Sequence, residues 1–127
     1  MAEAVLDASA ILAVLQAEAG AAQVEEVLPR ALLASVNAAE VVSKLIRHGA
    51  DADASVEMVR LLKCLIIPVD EPLGLRAGAL YALTARLGLS LGDRACLALA
   101  EREGLPVLTA DRAWASLDIG VEIRLIR

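Results

Sequence analysis

Four acids stand where this chain could do chemistry: Asp7, Glu40, Asp93 and Asp111. Carboxylates are hard oxygen donors and suit Mg²⁺ or Mn²⁺. One His and two Cys leave little with which to build a zinc site. Four carboxylates carry roughly the charge that two divalent cations would balance. Such ions promote phosphodiester hydrolysis: one generates hydroxide from water, and a second can stabilise the leaving oxygen of an in-line displacement. Without metal, clustered carboxylates repel one another.

The same acids have a purely structural reading. Asp7, Asp93 and Asp111 each stand at an expected helix N-cap, and Asn37-Ala38-Ala39-Glu40 has capping-box spacing. Glu40 and Lys44 are also spaced for an i, i+4 ion pair. Each acid would then be worth about 1 kcal/mol as a cap. Caps, however, need not all face one edge, nor be acidic where Ser or Thr would serve.

The elements that must position these acids centre on Leu89 to Asp111. Asp93 is expected to cap a helix whose run Ala95 to Ala100 is apolar nearly all round, and therefore buried. Gly104 and Pro106 end it, and Val107 to Thr109 reads as a short buried strand leading to Asp111. Upstream, Ala4 to Leu6 is a strand ending at Asp7, followed by helices over Ala8 to Gln16 and Ala21 to Leu28. Ala31 to Val36 is a second strand. Asn37 is expected to cap the next helix, with Val41, Val42, Leu45 and Ile46 on its apolar face and Glu40, Lys44 and Arg47 opposite.

Asp51 and Asp53 open a helix with Val56, Val59 and Leu62 inward. Leu65 to Val69 is a third strand, placed at an edge by Pro68. A helix from Asp70 to Leu87 buries Leu73, Ala77, Leu80 and Leu87. Arg112 to Leu117 is a short helix and Val121 to Ile126 a final strand. Alternation of strand and helix means α/β with a mostly parallel sheet, and such sheets bind ligands beyond the carboxyl ends of their strands. Asp7, Glu40, Asp70, Asp93 and Asp111 are all candidates for that edge.

Composition sets the remaining bounds. A chain of 127 residues that is 58% apolar, with no Phe, builds one domain on Ala, Leu, Val and Ile. No apolar run spans a membrane, and the opening residues lack a basic signal region, so a cytoplasmic protein is expected. Cys64 and Cys96 read as small buried hydrophobes. The net charge of −5 argues against a nucleic-acid partner. That argument weakens if four of the acids form one metal site, because the remainder is then near neutral and can carry a basic rim.

Leu6-Asp7-Ala8-Ser9, Asn37-Ala38-Ala39-Glu40, Ser90-Leu91-Gly92-Asp93-Arg94 and Leu108-Thr109-Ala110-Asp111-Arg112 resemble the four motifs of PIN-domain nucleases. In length and element order the whole chain is similar to the VapC-type toxins of bacterial and archaeal toxin–antitoxin pairs. The resemblance implies one nuclease domain over residues 1–127, a three-layer α/β/α sandwich with a four- or five-stranded, mostly parallel sheet. It implies Mg²⁺- or Mn²⁺-dependent cleavage of RNA, a cognate antitoxin protein as partner, and a homodimer. An antitoxin helix would lie in an apolar groove beside the early helices.

Carried over position by position, the resemblance makes Asp7, Glu40, Asp93 and Asp111 the catalytic, metal-holding quartet, with Ser9 and Thr109 in support. Asp70 and Asp118 have no counterpart in it. Arg94 and Arg112, each beside a site acid, could meet RNA phosphate or simply pair with those acids. Trp114 reads as packing, Tyr81 as a partner contact or a snorkelling core residue, and His48 as a complement to a helix C-terminus. Two other readings stay open. One is a receiver-like Mg²⁺-binding signalling domain, which wants an acid pair after the first strand and a late Lys. The other is a catalytically silent binding module.

Overall fold

The computed structural model describes residues 1–127. Five short strands form one wholly parallel sheet of order β3-β2-β1-β4-β5: β1 (Ala4–Leu6), β2 (Ala31–Ala34), β3 (Leu65–Ile67), β4 (Val107–Thr109) and β5 (Ile123–Leu125). In the register, Val5 stands beside Leu32 and Val107, and Leu6 beside Leu33 and Leu108. Successive residues of a strand point to opposite faces, so the two rows feed two separate cores. Leu6, Leu33 and Leu108 pack with Ile11, Val24, Val41, Leu45 and Val59. Val5, Leu32 and Val107 pack with Leu73, Leu80, Leu97, Leu99 and Trp114. The molecule is therefore a three-layer α/β/α sandwich, as expected.

The first core takes its helical side chains from α1 (Ala8–Leu15), α2 (Ala21–Val27), α3 (Ser35–Arg47) and α4 (Ala52–Arg60). The second takes them from α5 (Glu71–Ala79), α7 (Leu91–Glu103) and the 3₁₀ turn Arg112–Ser116, with Leu80 joining α5 to α6 (Tyr81–Thr84). Ala95 to Ala100 of α7 are buried on every side. No helix is long and apolar enough to cross a membrane.

Several boundaries differ from expectation. The single helix over Asp70 to Leu87 is broken into α5, α6 and a 3₁₀ turn, Ala85–Leu87. Two glycines, Gly74 and Gly78, weaken its propensity, and the Thr84 hydroxyl donates back to the Leu80 carbonyl at 2.9 Å. Leu73, Ala77 and Leu80 are buried, but Leu87 is only half-buried. β2 ends at Ala34 and α3 starts at once at Ser35, so Asn37 lies inside the first turn and caps nothing. Ile46 and Val56, expected inward, are 40% and 38% exposed. Each follows a buried residue, Leu45 or Ser55, by one position, and one residue turns a helix by about 100°. In β3 Leu65 and Ile66 are exposed and Ile67 is half-buried, and the strand stops before Pro68, consistent with an edge.

Candidate active site

β1 lies in the middle of the sheet, and the chain winds outward from it in both directions, to β2 and β3 on one side and to β4 and β5 on the other. Where strand order reverses, a crevice opens beyond the carboxyl ends of the strands. Asp7 is the first residue past β1 and Thr109 the last of β4. Asp7 caps α1 through the Ala10 N–H, which donates to Oδ1 at 2.9 Å. The Ser9 hydroxyl donates to the same oxygen at 2.7 Å, and the Thr109 hydroxyl donates to Oδ2 at 2.6 Å. Ser9 Oγ in turn accepts the Ala110 N–H at 2.9 Å, and Thr109 Oγ1 accepts the Asp111 N–H at 3.0 Å. Two hydroxyls thus tie the end of β1 to the end of β4.

Asp7 is only 4% exposed and pairs with no cation. Burial lifts its carboxyl above the usual carboxylate range. The bonds from Thr109, Ser9 and Ala10 oppose the rise, and the charge of Asp93 adds to it. A buried carboxylate with hydrogen bonds but no cation partner costs stability and is a common mark of a functional site.

Glu40 reaches the same crevice from the second turn of α3. Its Oε2 accepts the Asn37 side-chain amide at 3.0 Å, and that amide also donates to the Gly92 carbonyl at 3.0 Å. Asn37 is 1% exposed, so it is a buried bridge between α3 and α7. A Cβ at residue 92 would overlap the Glu40 carboxylate. Glycine there is what lets Glu40 lie against the first turn of α7.

Asp93 corrects an expectation. The cap of α7 is Ser90, and Asp93 is the third helical residue of a reciprocal capping box. Ser90 Oγ accepts the Asp93 N–H at 3.1 Å, and Asp93 Oδ2 accepts the Ser90 N–H at 3.0 Å. Asp111 does cap its 3₁₀ turn, accepting the Ala113 N–H at 3.0 Å.

All four acids line one cleft of about 570 Å³. The buried Cys96 thiol beneath it is pushed well up, first by burial and then by the charges of Asp7, Asp93 and Glu40. None of the four is ion-paired, so the expected Glu40–Lys44 pair does not form. No three of them converge as a ready-made ligand set. Glu40 Oε1, Asp93 Oδ1 and Asp111 Oδ2 each lack a protein donor, since the bonds above use the other oxygen. An all-oxygen, unpaired, strongly negative donor set fits a hard divalent cation.

The two arginines beside site acids do not line this cleft. Arg94 donates to the Ala77 carbonyl at 3.0 Å and lies over the Tyr81 ring, 5.3 Å from its centroid. Arg112 is exposed, and neither is ion-paired with its neighbouring acid. Tyr81 is 60% exposed, while Trp114 is fully buried and packs. His48 is the C-cap of α3 and bonds Gln16 at 2.9 Å. The basic groups that do line the cleft are Lys44 and Arg47, four and seven residues after Glu40 on the face of α3 that carries it. That spacing was the signal for them, as Ser-x-x-Asp was for the Ser90 box. The bridging role of Asn37 had no local signal, because its partner Gly92 is 55 residues away.

A family model of the PIN domain matches residues 4–120, and the chain belongs to that family. Among solved structures, it is similar to DNA-bound VapBC from Salmonella typhimurium, with a TM-score of 0.75 at 18% identity over 100% of both chains. Mycobacterium tuberculosis VapC20, described as a sarcin–ricin-loop-cleaving toxin, gives a TM-score of 0.73 at 15% identity over 94% of this chain and 99% of that one. A toxin–antitoxin complex from Klebsiella pneumoniae gives 0.69 at 19% identity over 95% and 100%. At such identities these structures show the fold. No curated protein matches.

Proposed function

We propose that this chain is a Mg²⁺- or Mn²⁺-dependent endoribonuclease, the toxin of a VapBC-type pair. The observation that carries the reading is four carboxylates without cation partners in one cleft, at the point where strand order reverses. Asp7, Glu40, Asp93 and Asp111 would hold the metal. Bound there, a divalent cation supplies an activated water and offsets charge on the phosphate.

The chain's own residues do the positioning. Ser9 and Thr109 fix both oxygens of Asp7, and Asn37 fixes one oxygen of Glu40. Ligands held in this way need little reorganisation as the reaction proceeds. Lys44 and Arg47, which carry no carboxylate of their own, line the same cleft and bring positive charge to the RNA backbone.

The partner reading follows the same family. A solved relative is a toxin–antitoxin complex, and an antitoxin protein and a homodimer are proposed here, acting in the cytoplasm. Leu61, Leu75 and Leu83, each more than 60% exposed, supply apolar surface around α4 to α6. α1 and α2, beside which the groove is expected, offer only half-buried apolar side chains, Val14, Leu15 and Val27.

The test is cleavage of a mixed RNA pool with Mg²⁺ or Mn²⁺. Products should carry 5′-phosphates, because water rather than the ribose 2′-hydroxyl attacks, and EDTA should stop the reaction. Undiminished cleavage in EDTA, or 2′,3′-cyclic ends, would overturn the proposal.

A further inference from the structure

A second cleft, of about 290 Å³, adjoins the acidic one. Ser9, Lys44 and Arg47 line both, so the two are separated only by a wall of shared residues. Their electrostatics are opposite. The second cleft takes Lys44, Arg47 and Arg127 against a single carboxylate, Glu18. In a chain of net charge −5 this is a local excess of positive charge.

Lys44 and Arg47 have no acid partner, whereas Arg30, Arg76, Arg102 and Arg124 are each paired. Arg127, which lines the second cleft alone, is held by the Ala19 carbonyl at 2.9 Å and by Glu18 at 3.5 Å. The Gln16 side-chain amide lies 2.9 Å from His48 Nδ1. With the amide donating, the ring proton sits on Nε2, a further donor at the cleft.

We infer that this cleft is a subsite for single-stranded RNA, binding the backbone phosphate next to the one being cut. The inference rests on the nuclease reading for the identity of the scissile phosphate. The geometry supplies the rest. A strand whose reacting phosphate lies over the four acids must carry its neighbouring phosphate away from them. The wall formed by Lys44 and Arg47 offers the adjoining compensated route, and Arg127 adds a third positive charge there. Positive charge placed this way also offsets the repulsion a polyanion meets at an acidic site.

The test is the salt dependence of binding. Fluorescein-labelled oligouridylate of eight nucleotides is titrated with Mg²⁺ present, in an Asp93→Asn background that leaves the probe uncut. Each phosphate contact on a single strand contributes about 0.7 to the slope of log affinity against log salt. Lys44→Gln, Arg47→Gln and Arg127→Gln should each lower the slope by about that amount. Lys44→Arg should keep it. Arg30→Gln, the same charge change beside the start of β2 at the other end of the sheet, should leave it unchanged.

Cleft variants that behave like Arg30→Gln would overturn the inference. Wild-type cleavage, read separately, then decides the nuclease reading alone. A lowered slope with a wild type that never cuts RNA would sink the nuclease reading and leave a phosphate site without a scissile neighbour.

Discussion

Asp7 and Asp70 hold the same local post and lead different lives. Each follows a strand, β1 or β3, and each caps the helix that comes next, accepting an N–H three residues on at 2.9 and 3.0 Å. Asp70 sits beyond the edge strand, with a side chain 55% exposed and Arg102 3.7 Å away. Asp7 sits beyond the central strand, is 4% exposed, and has hydroxyls in place of a cation. Capping geometry therefore does not distinguish an acid that only caps from one proposed to hold metal. What distinguishes them is place in the sheet: strands on both sides of β1 bring other chain ends, and their acids, to the same point.

Neutralising the two acids should break the symmetry most sharply. Asp7→Asn should lower RNA cleavage by orders of magnitude, while Asp70→Asn stays near the wild-type rate. Asn caps about as well as Asp, so neither change should unfold the protein. Metal-free Asp7→Asn should hold or gain stability, since it removes a buried, repelled charge. Initial cleavage rates beside thermal melts read both effects. Equal rates for the two variants would return Asp7 to the role of a cap.

Smaller but still directional is the effect of crowding Glu40. Gly92→Ala would displace the carboxylate that lies against residue 92. Loss of a supporting contact to a ligand typically costs about 10- to 100-fold in activity, and cleavage should fall by that order. Gly78→Ala, in open space on α5, should leave cleavage intact and raise stability by about 0.5–1 kcal/mol. Rates and urea melts of the pair separate a site effect from a helix effect.

The smallest effect is that of pH on the metal-free protein. Burial holds the Asp7 carboxyl above its ordinary 3.8. Between those two values the folded state binds more protons than the unfolded, so stability falls as pH rises through the window. Asp7→Asn does not titrate there. Its advantage over wild type should be full above the folded pKa, shrink as pH falls through it, and vanish below about 3.8. Urea melts of both proteins across that range measure it, and a constant difference would mean Asp7 titrates as a solvated acid.

Much of this was legible in the chain. Short apolar strands alternating with helices specify the parallel sheet, and Asp7, Glu40, Asp93 and Asp111 do line one cleft. What was not legible depends on contacts distant in sequence or on one-residue shifts. Asn37 looks like a cap because Asn-x-x-Glu is a capping pattern, but the helix starts directly from the strand at Ser35 and frees Asn37 to reach Gly92. Asp93 looks like a cap because it precedes the apolar run, but Ser90 sits one turn earlier and takes that role. Arg94 looks like a phosphate contact because it adjoins Asp93, but neighbours on a helix point about 100° apart, and its guanidinium turns to the carbonyl of Ala77. Lys44 and Arg47 share a helix face with Glu40 and so share its cleft.

The central claim, that the central-strand acid belongs to a metal site and the edge-strand acid does not, is tested most directly without RNA. Free Mn²⁺ can be followed by its electron paramagnetic resonance signal while protein is titrated in. Wild type and Asp70→Asn should take up Mn²⁺ with the same affinity, and Asp7→Asn should bind it at least tenfold more weakly. Mn²⁺ uptake by Asp7→Asn equal to that of wild type would contradict the account.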